Sequence, residues 1–264
     1  MFGFLRKTST PSISLRILND VESDCLPQWM IDRVKAIELK DSDSQLSISK
    51  EETAKIASLR LPDQCQYLGV PCRDIQVEST KKPERVALDK YRESGWAGAA
   101  SEGITIRFLM KACTWKTVTL DVDYELGFSP EAMDHKEKNS DKTRANLFHE
   151  VTQTPLEIIK NRYSDHYNFF KKMLPSTELA EPNVAMAILT GIGRENFFKI
   201  IELIWDYSGS GAGWPDLTLV RDNEVMLVEV KVKDKLHTSQ IQLMSEISRR
   251  KIPLHMEVNR LVSV

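Results

Sequence analysis

Two apolar runs near the end of the chain, Leu217-Thr218-Leu219-Val220 and Val225-Met226-Leu227-Val228-Glu229-Val230-Lys231-Val232, are separated by only Arg221-Asp222-Asn223-Glu224. So short and polar a connection between two β-rich runs leaves a hairpin as the economical reading. Side chains two apart on a strand share a face, so Glu229 and Lys231 emerge together, and Val228, Val230 and Val232 point the other way. Asp216 opens the first strand and lies beside Glu229 across the hairpin. Helical spacing in Ser239-Gln240-Ile241-Gln242-Leu243-Met244-Ser245-Glu246-Ile247 and a closing strand at Pro253 to Val258 complete the order strand, strand, helix, strand.

Two carboxylates that close repel unless a divalent cation lies between them. Oxygen donors select a hard ion, Mg²⁺ or Mn²⁺, which retains several waters and can hold a phosphate oxygen. Such a site suits phosphodiester hydrolysis, with Lys231 orienting water or steadying the developing charge. A turn closed by Asp216 and an exposed pair of Glu229 with Lys231 would account for a bare PD…ExK equally well. The nearly continuous apolar sequence around Glu229 weighs against a solvated face there.

Upstream, Arg85 to Arg92 has the spacing of one helix face and stops before Gly95. Beyond the small residues Gly98-Ala99-Ala100, Ser101 is placed to cap a second helix running from Glu102 to about Trp115. Pro130 to Trp205 reads as a helical block, with Pro155 just inside a helix start and Gly191 or Gly193 near helix ends. The first eighty or so residues give little periodic signal, and Asp41 to Gln45 reads as a polar loop.

Composition decides less. The chain has 264 residues and a formal charge of -2, which gives no global attraction to a polyanion but leaves room for a local basic patch. No apolar run approaches the ~20 residues of a membrane span. Cys25, Cys65, Cys72 and Cys113 form no CxxC pair, and the five histidines show no metal-ligand spacing. Separate reduced thiols and an intracellular setting are expected. Gly209 to Gly213 lacks the Gly-Lys-Ser/Thr ending of a phosphate loop. Lys235 and Arg107 are weaker candidates for DNA contact, and His237 reads as a surface residue at a helix start.

Gly213-Trp214-Pro215-Asp216-Leu217 with Leu227-Val228-Glu229-Val230-Lys231, then Asp234-Lys235-Leu236 and Gln240, resembles the VRR-NUC branch of the PD-(D/E)xK nucleases. Ala87 to Trp96 and Ser101-Glu102-Gly103 are similar to the segment that opens this domain in the Fanconi-associated nucleases. The resemblance implies an α/β fold with a restriction-endonuclease-like core, a mixed sheet flanked by helices, carrying a helical insertion at about 130–206. It implies a nuclease domain over 83–264, after a poorly defined segment at 1–82. Glu102, Asp216 and Glu229 become metal-site carboxylates, Val230 lends its carbonyl, Lys231 is catalytic, and Gln240 lies on the helix beside the site.

The implied activity is Mg²⁺- or Mn²⁺-dependent cleavage of branched or flapped DNA in repair, interstrand crosslink repair included, with repair proteins as possible partners. Glu102 and Asp216 lie 114 positions apart, which leaves room for the insertion and favours a monomer. A dimeric Holliday-junction-resolvase-like enzyme and a DNA-binding module with a non-catalytic core are the alternatives. The implied location is the nucleus in a eukaryote, or the cytoplasm and nucleoid otherwise.

Overall fold

The computed structural model describes residues 48–77, 82–114, 141–173, 178–206 and 213–263, together with Gln28, Trp29, Asp32, Lys35 and Ala36. Expectations for Cys25, the 41–45 loop, Trp115, residues 130–140 with His135, and residues 209–212 lie outside them.

The C-terminal hairpin organises the sheet. Strands β3 (Leu217–Arg221) and β4 (Glu224–Lys231) pair antiparallel, with Leu217 opposite Val228 and Val220 opposite Val225. Asp222 and Asn223 turn the chain with φ of 50° and 66°, the left-handed pair that a tight two-residue hairpin requires. Helix α9 (Thr238–Arg249) then crosses to β5 (His255–Ser263), which lies parallel to β4. On the other side β2 (Ala97–Ala100) pairs antiparallel with β3, so Gly98-Ala99-Ala100 is an edge strand.

β1 (Cys72–Val77) pairs in parallel with β5, giving the mixed five-stranded order β1-β5-β4-β3-β2. This corrects the expectation of a poorly defined segment up to residue 82, at least for residues 50–77. Helices α1 (Lys50–Ser58) and α2 (Leu61–Leu68) bury Ile56, Leu61 and Cys65 against Ile241 and Met244 of α9 and Val258 of β5. The buried Gln64 amide donates to Ile56 O and Leu236 O and accepts from Leu236 N. Its pairing with distant backbone was invisible to periodicity.

The strand period of two sorts the hairpin between two packed faces. Leu217, Leu219, Met226, Val228 and Val230 cluster with Ala87 and Leu88 of helix α3 (Pro83–Glu93). Val220, Val225 and Leu227 face a larger core built by helices α4 to α9. Helix α4 (Ile104–Cys113) is followed by α5 (Asp141–Gln153), α6 (Leu156–Met173), α7 (Pro182–Ile192) and α8 (Arg194–Asp206), which form the helical block between the motifs. Tyr163, Phe197 and Phe198 are its largest fully buried side chains. Among the described residues no helix is long and apolar enough to cross a membrane, and Cys65, Cys72 and Cys113 are free thiols.

The helix carrying the upstream motif begins later than its sequence suggests. It starts at Ile104, its N-cap is Gly103, and Ser101 makes no cap bond but pairs its hydroxyl with Thr105 Oγ1 at 2.9 Å. Glu102, with φ 45°, is held ahead of the helix in the left-handed region. Long-range backbone bonds overrode the local capping signal, as described next.

Candidate active site

Glu229 and Lys231 lie on the same face of β4 as Leu227, the face turned towards α9. Both are buried, Glu229 to 2% exposure, and Lys231 Nζ sits 2.9 Å from Glu229 Oε1. Gln240, in the first turn of α9, donates from Nε2 to the same oxygen at 2.6 Å, and its own Oε1 accepts the His237 N–H. Oε1 is thus fully engaged. Oε2 of Glu229 is buried with no donor.

Asp216 precedes Leu217 by one residue, so the hairpin register carries it alongside Glu229. Its Oδ2 accepts the Val230 N–H at 2.8 Å, and its backbone carbonyl accepts the N–H groups of Ser101 and Glu102 at 3.1 and 3.3 Å. Those two bonds divert residues 101 and 102 from helix into the site. Burial, then the charge of Glu229, pushes the Asp216 carboxyl up to about 7 against the pull of the Val230 N–H. Burial also raises Glu229, opposed by Lys231, Gln240 and Asp216. Without a cation, a proton held between the two carboxyls would supply the orphaned oxygen.

Two glycines set the approach of the motifs. A Cβ on Gly103, at φ 79°, would lie 2.5 Å from the ring of the buried Trp214. One on Gly213, at φ 91°, would meet the Ser239 carbonyl at 2.5 Å. Trp214 therefore packs onto the upstream turn, and residue 213 onto the start of α9, because neither glycine carries a side chain.

The structure brings Asp216, Glu229, Lys231, Gln240 and the Val230 backbone together. Glu102 is brought to them by its backbone N–H, bonded to the Asp216 carbonyl, and the residue is exposed. Among the described residues no group of three His, Cys, Asp or Glu side chains is gathered to hold an ion, and Asp216 and Glu229 are the carboxylates the hairpin itself sets side by side. Glu84, in the first turn of α3, is near enough for its charge to raise Asp216 further. At the sequence level it reads only as a carboxylate favourable to a helix start. Lys235 donates to Ser58 O at 3.0 Å, tying the strand exit to α1, and the half-buried Arg107 lies on α4 outside the carboxylate group. His237 is the exposed N-cap of α9, as expected.

A hard divalent cation fits these residues. The donors are oxygens, one of them is buried without a hydrogen-bond partner, and the neighbouring carboxyls oppose each other's ionisation.

A mixed sheet flanked by helices, with this carboxylate pair at the end of its central hairpin, defines a restriction-endonuclease-like α/β fold. The family model of the VRR-NUC domain matches residues 153–259, which include Asp216, Glu229, Lys231 and Gln240. The same fold occurs in a crystal structure of paFAN1 bound to DNA with a 2-nucleotide 5′ flap and a gap, which is 15% identical with a TM-score of 0.53. A second structure, of paFAN1 bound to a 1-nucleotide 5′ flap DNA with gap, is 17% identical with a TM-score of 0.49. Each alignment covers 97% of this chain and 50% of the other, so the chain spans about half the length of these structures. No curated protein matches it.

Proposed function

We propose that this protein is a divalent-cation-dependent nuclease that hydrolyses phosphodiester bonds in branched or flapped DNA. The observation that carries the reading is the buried grouping of Asp216, Glu229 and Lys231, in which Glu229 Oε2 lacks any donor. A bound Mg²⁺ or Mn²⁺, held by Asp216, Glu229 and the Val230 carbonyl, would polarise the scissile phosphate and lower the pKa of a water.

The residues of the chain supply the rest. Gln240 and Lys231 fix one oxygen of Glu229 and so aim the other. Lys231 has donors left beyond that contact, and it offers them to a non-bridging phosphate oxygen where negative charge grows. The Val230 N–H holds one oxygen of the Asp216 carboxylate in place. With a carboxyl that titrates near neutrality, Asp216 sheds its proton on cation binding instead of holding a fixed charge beforehand.

The VRR-NUC match and the likeness to a flap-bound paFAN1 support DNA as substrate and a role in repair, crosslink repair among the candidates. The helical block between the motifs supports a monomer. Purified chain should cut a labelled 5′-flap duplex in Mg²⁺ or Mn²⁺ but not in chelator, and Asp216→Asn should abolish the cut. Full activity in Asp216→Ala would overturn the assignment. Solution mass, with four-way junctions run beside flaps, separates a monomer from a paired-cut dimer.

A further inference from the structure

Helix α4 leaves the site directly from Gly103 and buries Ile106, Leu109, Met110 and Cys113 in the core. A neighbouring stripe carries Arg107 and Lys111, four residues apart and so one above the other, about 6 Å along the axis. Lys111 is only 9% exposed and Arg107 is half-buried. Burial lowers the pKa of both, and no carboxylate contributes to either. His166 of α6 stands beside Lys111 and packs on Phe108. It is held near 4 by burial and then by the Lys111 charge, so it stays neutral and adds no second positive charge.

Two desolvated cations without an acid to pair with are costly to keep. Lys233 and Lys235 differ, being exposed on the strand exit. A buried ammonium gains most from an anion that arrives from outside and displaces little water. We propose that Arg107 and Lys111 form a phosphate-binding step along α4, at its margin with α6, which grips the nucleic-acid backbone next to the cleavage site. The step begins one turn past Gly103, whose neighbours Ser101 and Glu102 bond the Asp216 carbonyl. The Lys111 backbone lies about 12 Å from that of Gly103 along the helix. Such contacts position the strand and do not read its bases.

The inference rests on the nuclease reading, and binding separates the two. Affinity of the full chain for a fluorescent 5′-flap duplex is measured in chelator across a salt series, for wild type, Lys111→Met, Arg107→Gln and the double variant. Each single variant should weaken binding roughly 3- to 10-fold and flatten the slope of log affinity on log salt by about one, the double by about two. Lys111→Met keeps the side-chain volume, so an unchanged or raised Tm would show that the loss is not unfolding. Unchanged affinity and slope in the double variant would overturn the step even if the protein cuts DNA. A changed slope in a chain that cuts nothing would retain the step and remove the nuclease.

Discussion

Gln240 Nε2 and Glu229 Oε1 are joined by a 2.6 Å hydrogen bond between the first turn of α9 and the end of β4. Because Lys231 takes the same oxygen, the bond leaves Glu229 one oxygen with a single free task. Residues that orient a metal-site carboxylate typically change metal affinity 10- to 100-fold when removed. Gln240→Ala should therefore weaken Mn²⁺ binding by about that factor, measured by calorimetry on the purified chain. Gln240→Glu should weaken it less than Gln240→Ala does, because an added negative charge offsets part of the lost orientation.

Stability without a cation should depend on pH in an unusual direction. Asp216 binds its proton more tightly folded than unfolded, with a carboxyl pushed from 3.8 to about 7. The folded state therefore holds more protons between those values, and stability falls as pH rises. The contribution is fully present below about pH 4 and lost as pH passes about 7, and Glu229 adds in the same direction. The loss is on the order of a few kcal/mol. Thermal melts in chelator should show Tm declining from pH 5 to 8, with the decline reduced in Asp216→Asn. Cation affinity should rise over the same window, because the competing proton leaves.

Gly103→Ala tests the lock between the two motifs. Its Cβ would meet Trp214 at 2.5 Å, on a backbone with φ 79°. Strain and displacement of a buried indole together should cost about 2 kcal/mol or more. Urea unfolding measures the cost, and cleavage should fall beyond what the lost folded fraction explains, since Ser101 and Glu102 are bonded to Asp216.

The part played by residues 50–77 is open to a direct test. A chain beginning at residue 79 would bare one edge of β5 and the apolar surfaces of Ile241, Met244 and Val258. It should be insoluble or unfolded by circular dichroism. In the whole chain Ile56→Ala, at a position with 0% exposure, should cost about 2–5 kcal/mol.

The local patterns set by covalent sequence were legible without a structure. Alternation placed Glu229 and Lys231 on one face, the polar stretch at 221–224 marked the hairpin whose turn is Asp222-Asn223, and 3.6-residue spacing marked α3, α9 and the helical block between the motifs. These follow from the neighbours of each residue along the chain. What only the tertiary structure decided depends on residues far apart in sequence. Ser101 was a sound cap on local grounds, yet the Asp216 carbonyl 115 positions away captured its N–H and delayed the helix to Ile104. The strand at 72–77 carries the mixed burial of an edge and no clean period, so its place beside β5 is fixed by pairing alone. The place of Glu102 beside Asp216, fixed by the bond from its N–H to the Asp216 carbonyl, likewise depends on how two motifs dock. Spacing can nominate a charge for a site, but only packing determines which of its atoms are left without a partner.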